Sequence, residues 1–279
     1  MDRRFRAFSF VDQITSLQHG VSILGNYNIP PAVKSFPATL VAEAVGQLAA
    51  WAAMAAVDFS HRPVAGIAGR IEFLSPVSPG QRLQLAAELE SVDIETVGYH
   101  GTAHIDGSPV IRLLDCVGPM VPVDDFDEPD LVRARFTLLR TCGATPGGFD
   151  GLFPLVLDRI DGDVAESVSA VLQVPADAPF FADHFPRRPV FPGVLLMHAS
   201  IQAAAMLVAQ VSSDNGGRWL LRTISNVKLR SFISPGEALR LEARRTGHSE
   251  SSVNVAVESR LNRRLIGTAE IQFSCGELP

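Results

Sequence analysis

A histidine just ahead of a proline-rich turn is the residue in this chain best placed for proton-transfer chemistry. His184 is followed by the segment FPRRPVFPG, and Pro192-Gly193 then leads into a long apolar stretch. Proline suits the first turn of a helix, and glycine lets a ligand approach the backbone closely. Because the free N–H groups of a helix start attract developing negative charge, the segment predicts a base beside an anion-stabilising backbone.

The segment from His184 to Leu195, HFPRRPVFPGVL, closely resembles the signature of the 3-hydroxyacyl-[acyl-carrier-protein] dehydratases. Most of its positions agree in order, so the match is far more specific than a short motif. The resemblance implies a hot-dog fold, in which an antiparallel sheet wraps a long helix. It also implies a catalytic histidine, an acidic residue fourteen positions later on the helix, and a glutamine four residues beyond that acid.

The second half of the chain lacks the acid that this signature requires. The fourteenth position after His184 is His198, although Gln202 stands where the family has its glutamine. We therefore expect His198 to be structural or to line a vestigial pocket, and Gln202 to be structural. The carboxylate has to come from another part of the chain.

An Ala-rich segment in the first half carries the complementary residues. It reads EAVGQ from Glu43 to Gln47, which places an acid and a glutamine at the family's spacing. Counting back fourteen positions from Glu43 reaches Ile29, so this half has no catalytic histidine. Single-domain members of the family dimerise, and each active site takes its histidine from one subunit and its carboxylate from the other. The resemblance therefore implies one composite site, with His184 and Glu43 as its catalytic pair.

The implied reaction removes water from a 3-hydroxyacyl thioester and gives the trans-2-enoyl thioester. We expect His184 to take the C2 proton, and protonated Glu43, oriented by Gln47, to protonate the departing C3 hydroxyl. The backbone N–H of Gly193 would bind the thioester oxygen. No metal or organic cofactor is required. Two further residues are expected to contact the substrate: Val190 and Phe191.

Arg187 and Arg188 follow the candidate histidine closely, and two interpretations of them stay open. They could dock an acidic acyl carrier protein near the mouth of the acyl tunnel, since charge complementarity guides such encounters. They could equally be solvated loop arginines. An acyl carrier protein with a phosphopantetheine-linked substrate is the partner that the resemblance implies.

The two halves of the chain repeat one plan. RIEFLSPVSP at 70–79 parallels NVKLRSFISP at 226–235, and a glycine completes a Pro-Gly turn in each. Agreement in the order of strand, proline-rich turn, Ala-rich helix and further strands indicates two copies of one unit in tandem. The predicted fold is therefore an α+β double hot-dog, with a first repeat at 1–123, a linker at 124–151 and a second repeat at 152–279.

The repeat places a long helix at the centre of each unit, from Ala38 to Val57 and from Gly193 to about Val211. We expect the two antiparallel sheets to join edge to edge, because exposed strand edges promote aggregation. The linker begins with acidic residues and ends with glycines. That composition favours a solvated connection, with a short helix around Leu131 to Leu139.

Composition and charge exclude several classes of protein. The chain has 279 residues, of which 47% are hydrophobic and 19% charged, as in a compact globular protein. Its net charge of −6 gives no electrostatic basis for binding nucleic acid. The three cysteines are too widely spaced for a disulfide framework or a metal site, which favours a reducing compartment, and we predict a cytoplasmic protein. The segment 38–57 is long enough to span a membrane, but Glu43 within it favours a buried core helix.

Other functions stay open at this stage. Hot-dog proteins include thioesterases, hydratases and dehydratases that isomerise their product, and the isomerising relatives tend to carry aspartate where this chain has Glu43. A non-catalytic pair that holds an acyl chain or a carrier protein is a second alternative. The sequence also leaves open the acyl chain length, carrier protein or coenzyme A as the thiol, and a homo-oligomer of the fused pair. We favour a specialised pathway, such as polyketide or polyene assembly, over primary fatty-acid synthesis.

Overall fold

An antiparallel sheet frames the protein in the computed structural model, which describes residues 4–163, 166–210 and 218–276. The strands of the first half are β1 (Gln13–Gln18), β2 (Ser22–Asn28), β3 (His61–Pro63), β4 (Ile67–Phe73), β5 (Arg82–Val92), β6 (Thr96–Ile105) and β7 (Ser108–Pro122). Those of the second half are β8 (Leu157–Asp161), β9 (Ser167–Gln173), β10 (Arg218–Leu229), β11 (Ala238–Ser249), β12 (Ser252–Leu261) and β13 (Arg264–Gly276). The helices are α1 (Ala38–Ala56), α2 (Pro129–Thr141) and α3 (Gly193–Val208).

The sheet is symmetric about its centre. Its strand order is β1-β2-β5-β6-β7-β4-β10-β13-β12-β11-β9-β8, with β3 paired to β7 at the side. Starting from the β4–β10 junction, both halves therefore run through their strands in the same order. At the junction Ile71 lies opposite Ile224, within an antiparallel register that extends from Ile67 to Glu72. The edge-to-edge joint predicted from the repeat is thus a backbone-paired seam between the halves.

Helices α1 and α3 each lie against the sheet of their own half. α1 contacts β2, β5, β6 and β7, while α3 contacts β9, β11, β12 and β13. Alanines let the helices approach the strands closely, and Ala44, Ala52, Ala199 and Ala203 are fully buried. The alternating strands supply the opposite wall, because every second residue of a strand faces the helix.

The ends of the two helices follow from local sequence. A proline occupies the N-cap position of each, Pro37 before α1 and Pro192 before α3, with φ near −60°. This geometry suits entry into a helix. α1 ends one residue before the predicted end at Val57, whereas the predicted end of α3 at Val211 lies outside the described residues. α1 is long and apolar enough to cross a membrane, but most of it is buried inside the protein, as expected of a core helix.

The connection between the halves packs more tightly than the sequence predicted. The expected short helix is present as α2, but it is not merely solvated, because Val132, Phe136 and Leu139 are buried. The ring of Phe136 stacks on Trp51 of α1 at a centroid distance of 6.0 Å. A connection rich in polar residues still buries one face when its apolar residues recur at helical spacing, as they do here. The connection is therefore part of the core of the first half.

Candidate active site

A cavity of about 220 Å³ lies between α1 and the strands of the first half. Its wall is mostly apolar and includes Ala42, Gly46, Ala50, Ile71, Val97 and Leu113. The second half closes it, because His184 and Gly193 also line the cavity. Glu43 lines the same space from α1. The structure thus brings together the histidine and the carboxylate that the sequence analysis selected from opposite halves.

His184 is held by the turn that follows it. Its Nδ1 lies 3.1 Å from the carbonyl oxygen of Val190. Because a carbonyl can only accept, Nδ1 carries the proton of the neutral ring and Nε2 keeps a free lone pair. Burial lowers the pKa of His184 to about 4, against the opposing effect of the Val190 carbonyl. The imidazole is therefore neutral at pH 7 and suited to accept a proton.

Glu43 is held by Gln47 one turn later on α1. Nε2 of Gln47 donates to Oε1 of Glu43 at 2.9 Å and also to the carbonyl oxygen of Phe8 at 2.9 Å. The backbone N–H of Phe10 donates to Oε1 of Gln47 at 2.8 Å, so both ends of the amide are fixed. Burial raises the pKa of Glu43, although Gln47 and Arg62 act in the opposite direction. Burial therefore favours the protonated form of Glu43 over its carboxylate.

Gly193 begins α3 at the edge of the cavity. The first N–H groups of a helix have no carbonyl partner within it, so they are available to an anionic ligand. A Cβ at this position would collide with Cδ1 of Leu229 and lie 3.2 Å from the Cβ of Ala65. Because Leu229 and Ala65 also line the cavity, glycine keeps the helix start close to the β10 strand and open to a ligand.

A largely buried ion pair in the cavity wall has no signal in the sequence. Arg62 of β3 and Asp127 of the connection both line the cavity, and their side chains are joined at 3.2 Å between Nη1 and Oδ2. The guanidinium carbon of Arg62 lies 3.9 Å from the ring centroid of Phe185, the residue after His184. No local motif marks these residues, since they are far apart in sequence and outside the dehydratase signature.

The N-terminal segment also belongs to the site, which the sequence did not indicate. Oδ2 of Asp183 accepts hydrogen bonds from the backbone N–H groups of Arg6, at 2.9 Å, and Phe8, at 2.7 Å. The ring of Phe8 lies edge-on to His184 at a centroid distance of 5.8 Å. The segment therefore links the histidine loop to Gln47, whose amide it also holds.

The other predicted site residues are near the cavity without lining it. Val190 and Phe191 are buried, and neither is among the residues of the cavity wall; Val190 acts through its carbonyl oxygen on His184. Arg187 is exposed and pairs with Asp124 and Glu128 of the connection. The guanidinium of Arg188, also exposed, lies over the rings of Phe126 and Phe232. Both arginines thus anchor the turn to its surroundings.

The counterparts of His184 and Glu43 in the opposite halves are arranged differently. Nδ1 of His198 lies 3.3 Å from Oγ1 of Thr39 on α1. Ile29, which occupies the histidine position of the first half, is 1% exposed and belongs to the hydrophobic core. None of Ile29, His198 and Gln202 lines the cavity that holds Glu43.

Other chemistry in the cavity is restricted by burial. Cys116 lines the wall, but burial raises its pKa to about 12, so the thiol stays protonated and is a poor nucleophile. In the part of the chain that the structure describes, no group of three or more His, Cys, Asp and Glu residues could hold a metal ion. The polar groups that remain for chemistry are those around Glu43 and His184.

Comparison with known proteins gives the family. A family model described as ApeI dehydratase matches residues 162–264. The 3-hydroxyacyl-[acyl-carrier-protein] dehydratase FabZ of Ruminiclostridium cellulolyticum is 32% identical over 122 residues, which cover 44% of this chain and 86% of that protein. FabZ of Rickettsia akari is 35% identical over 124 residues, which cover 42% of this chain and 86% of that protein. The chain therefore belongs to the family of hot-dog 3-hydroxyacyl-[acyl-carrier-protein] dehydratases.

Solved structures show the fold along most of the chain. The tesB protein of Mycobacterium avium subs paratuberculosis has a TM-score of 0.56 and 12% identity, covering 96% of this chain and 97% of that structure. An acyl-ACP thioesterase from Bacteroides thetaiotaomicron has a TM-score of 0.52 and 13% identity, covering 90% of this chain and 97% of that structure. At such low identity the likeness shows a shared hot-dog architecture and nothing about activity.

Proposed function

We propose that this chain is a double hot-dog dehydratase with one composite active site. The division is that expected from the repeat: a first unit at 1–123 that supplies Glu43, a connection at 124–151, and a second unit at 152–279 that supplies His184. The reaction is the dehydration of a 3-hydroxyacyl thioester to the trans-2-enoyl thioester. The symmetric strand order supports the division, and the family relatives, named for this reaction, support the activity.

In the first half of the reaction, His184 removes the C2 proton. Its Nε2 has the free lone pair, since Nδ1 donates to the carbonyl of Val190. Electron density from the broken C–H bond moves onto the thioester oxygen, which becomes enolate-like. The N–H of Gly193 at the start of α3 stabilises that charge, and loss of one such donor costs about a hundredfold in rate in other enzymes.

In the second step of the reaction, the C3–O bond breaks and Glu43 gives its proton to the departing hydroxyl, which leaves as water. Gln47 binds Oε1 of Glu43, so the proton resides on Oε2. The turnover ends when His184 loses the C2 proton to solvent and Glu43 regains one. Opposed protonation states, a neutral base and a neutral acid, are the starting point that this chemistry needs.

The acyl chain would occupy the apolar part of the cavity beneath α1. The relatives are named for acyl-carrier-protein substrates, which supports an acyl carrier protein as the donor of the thioester. The setting that we propose is fatty-acid, polyketide or polyene-type biosynthesis. Arg187 and Arg188 remain candidates for carrier docking, because both are exposed beside the histidine loop. We propose this docking role for Arg188 in particular, since Arg187 already pairs with two carboxylates of the connection.

One observation carries the proposal: Glu43 and His184, drawn from opposite halves, line the same cavity. A non-catalytic pair of hot-dog units would have no need to keep an acid in one half and a histidine in the other at a shared cavity. The test is to incubate the purified chain with a 3-hydroxyacyl thioester on an acyl carrier protein and on a short pantetheine analogue. We expect the absorbance of an enoyl thioester to appear, and a His184→Ala sample purified in the same way controls for contaminating dehydratase.

Other products would decide against the proposal. Release of free thiol without enoyl product would indicate a thioesterase. Absence of both products, with retention of the acyl carrier protein on the immobilised chain, would indicate a binding module. A shift of the double bond in the product would identify an isomerising dehydratase and would refine the reaction without moving the site.

A further inference from the structure

Arg62 is a largely buried cation to which the proposed reaction assigns no role. It lies on β3, outside the histidine loop and outside α1, yet its side chain lines the same cavity as Glu43 and His184. Burial lowers the pKa of Arg62 only to about 10, so it stays charged at pH 7. A charge in an apolar wall is destabilising unless other groups compensate it.

Two contacts hold this guanidinium in place. Asp127, whose side chain is 4% exposed, pairs with Nη1 at 3.2 Å. The ring of Phe185 lies beneath the guanidinium at 3.9 Å and against the ring of His184 at 4.1 Å between centroids. Nε of Arg62 is buried and has no hydrogen-bond partner within residues 4–163, 166–210 and 218–276. An ion pair of this kind is weak evidence for a role in stability, and the unpartnered Nε leaves one donor over.

The cation lines the same cavity as both members of the proposed pair. Its charge contributes to lowering the pKa of Glu43 and of His184, in each case as a smaller effect than burial. The other ionisable groups around this space are Asp127 from the connection, Asp183 before the histidine, Tyr99 on β6 and Cys116 on β7. Burial keeps Tyr99 and Cys116 neutral, since it raises the pKa of both.

We propose that Arg62, fixed by Asp127 and Phe185, is the positioning cation of this site and stabilises the carboxylate that Glu43 becomes when it gives up its proton. This inference rests on the proposed dehydration. The acid must end the step as an anion inside an apolar wall, where a nearby fixed positive charge lowers the barrier. Asp127 belongs to the connection between the two halves, so the connection completes the active site as well as joining its parts.

The test uses the double substitution Arg62→Met with Asp127→Asn, which removes the pair without leaving an unpaired buried charge. We expect kcat to fall by about tenfold or more, with little change in KM, because the cation acts on the transition state. Removing the cation raises the pKa of both His184 and Glu43. Activity requires neutral His184 and protonated Glu43, so both limbs of the pH profile of kcat/KM should move towards higher pH.

Asp127→Asn alone should shift the pH profile in the opposite direction, which tests the same role of Arg62. It keeps the positive charge and removes its counter-ion, so both limbs should move towards lower pH. Glu128→Gln is the matched control, because Glu128 is also a carboxylate of the connection that pairs with an arginine, Arg187, but does not line the cavity. It should leave the pH profile and kcat unchanged.

These variants separate the inference from the proposed function. If the wild-type chain shows no dehydration, the proposed function fails and the inference with it. If the wild-type chain dehydrates but both variants at Asp127 keep its pH profile while only their melting temperature falls, Arg62 is a structural residue and the inference is wrong. If the double variant does not fold, the pH profile of kcat/KM of Asp127→Asn alone tests the inference. A shift towards lower pH supports it, and an unchanged profile overturns it.

Discussion

Helices α1 and α3 occupy equivalent places in the two halves, yet they carry different chemistry. On α1 the pair is Glu43 and Gln47, and its amide is fixed by the N-terminal backbone. On α3 the same spacing carries His198 and Gln202, and His198 contacts Thr39 of the opposite helix. The proposed composite site needs only one acid and one base, which accounts for the absence of one of them from each half.

The loops that precede α1 and α3 also differ between the two halves. The loop before α3 places His184 at the cavity. The loop before α1 is packed with aromatic rings instead: Phe36 lies 5.7 Å from Phe10 and 5.8 Å from Phe149 of the connection, between ring centroids. The loop before α1 is thus part of the hydrophobic core.

The largest expected effect distinguishes the proposed site from its counterpart. His184→Ala and Glu43→Gln should each reduce kcat by about a hundredfold or more, the usual scale for general acid–base groups. The double substitution should lose little more, because the two residues act as a unit. His198→Ala, measured by the same enoyl-thioester assay, should stay near the wild-type rate. A severe loss in His198→Ala with a harmless Glu43→Gln would place the chemistry in the second copy.

The two glutamines offer a second matched comparison. Gln47→Leu should lower kcat by about tenfold to a hundredfold, because Glu43 loses the donor that orients it and small misplacements of reacting groups are costly. Gln202→Leu should leave kcat near the wild-type value. Circular dichroism melting curves of both variants show that each is folded at the assay temperature. Equal losses in the two variants would mean that the glutamines support the fold alone.

The preference for acyl chain length should change only when a substitution fills part of the cavity. Ala50 lines the cavity from α1, whereas its counterpart Ala205 on α3 is exposed. Ala50→Leu should reduce kcat/KM for long acyl chains by about tenfold and spare short ones, since a few methylenes are worth a kcal/mol or more in an apolar pocket. Competition between long and short thioesters measures the preference. Ala205→Leu should not alter it, and a matching change there would argue against this cavity as the acyl site.

The smallest expected effect concerns carrier docking. Arg188→Glu should raise KM for carrier-bound substrate by roughly threefold, a size typical of exposed charge pairs, and should hardly affect a pantetheine analogue. The effect should fade at high ionic strength, because exposed charges are screened over about 8 Å in physiological salt. Steady-state kinetics at two salt concentrations measure both features. An equal loss on both substrates would show that Arg188 acts on the fold of the histidine loop.

Much of this protein could be predicted from its sequence because the relevant signals are local or repeated. The dehydratase signature identified His184, and the same spacing in the first half identified Glu43 and Gln47. Proline and glycine fixed the helix starts and the turns, since their backbone preferences act at short range. The substrate contacts expected of Val190 and Phe191 did not follow from the signature, because both side chains are buried and neither lines the cavity.

Only the tertiary structure decided which distant residues complete the site. Arg62 and Asp127 are separated by a whole set of strands, and their ion pair exists because β3 and the connection meet at the cavity. The hold of Phe8 and Phe10 on Gln47, and of Asp183 on the N-terminal backbone, likewise depends on segments that meet in space. Burial lowers the pKa of His184 and raises that of Glu43. The sequence determined the residue types and their spacing, whereas folding determined their desolvation and the charges around them.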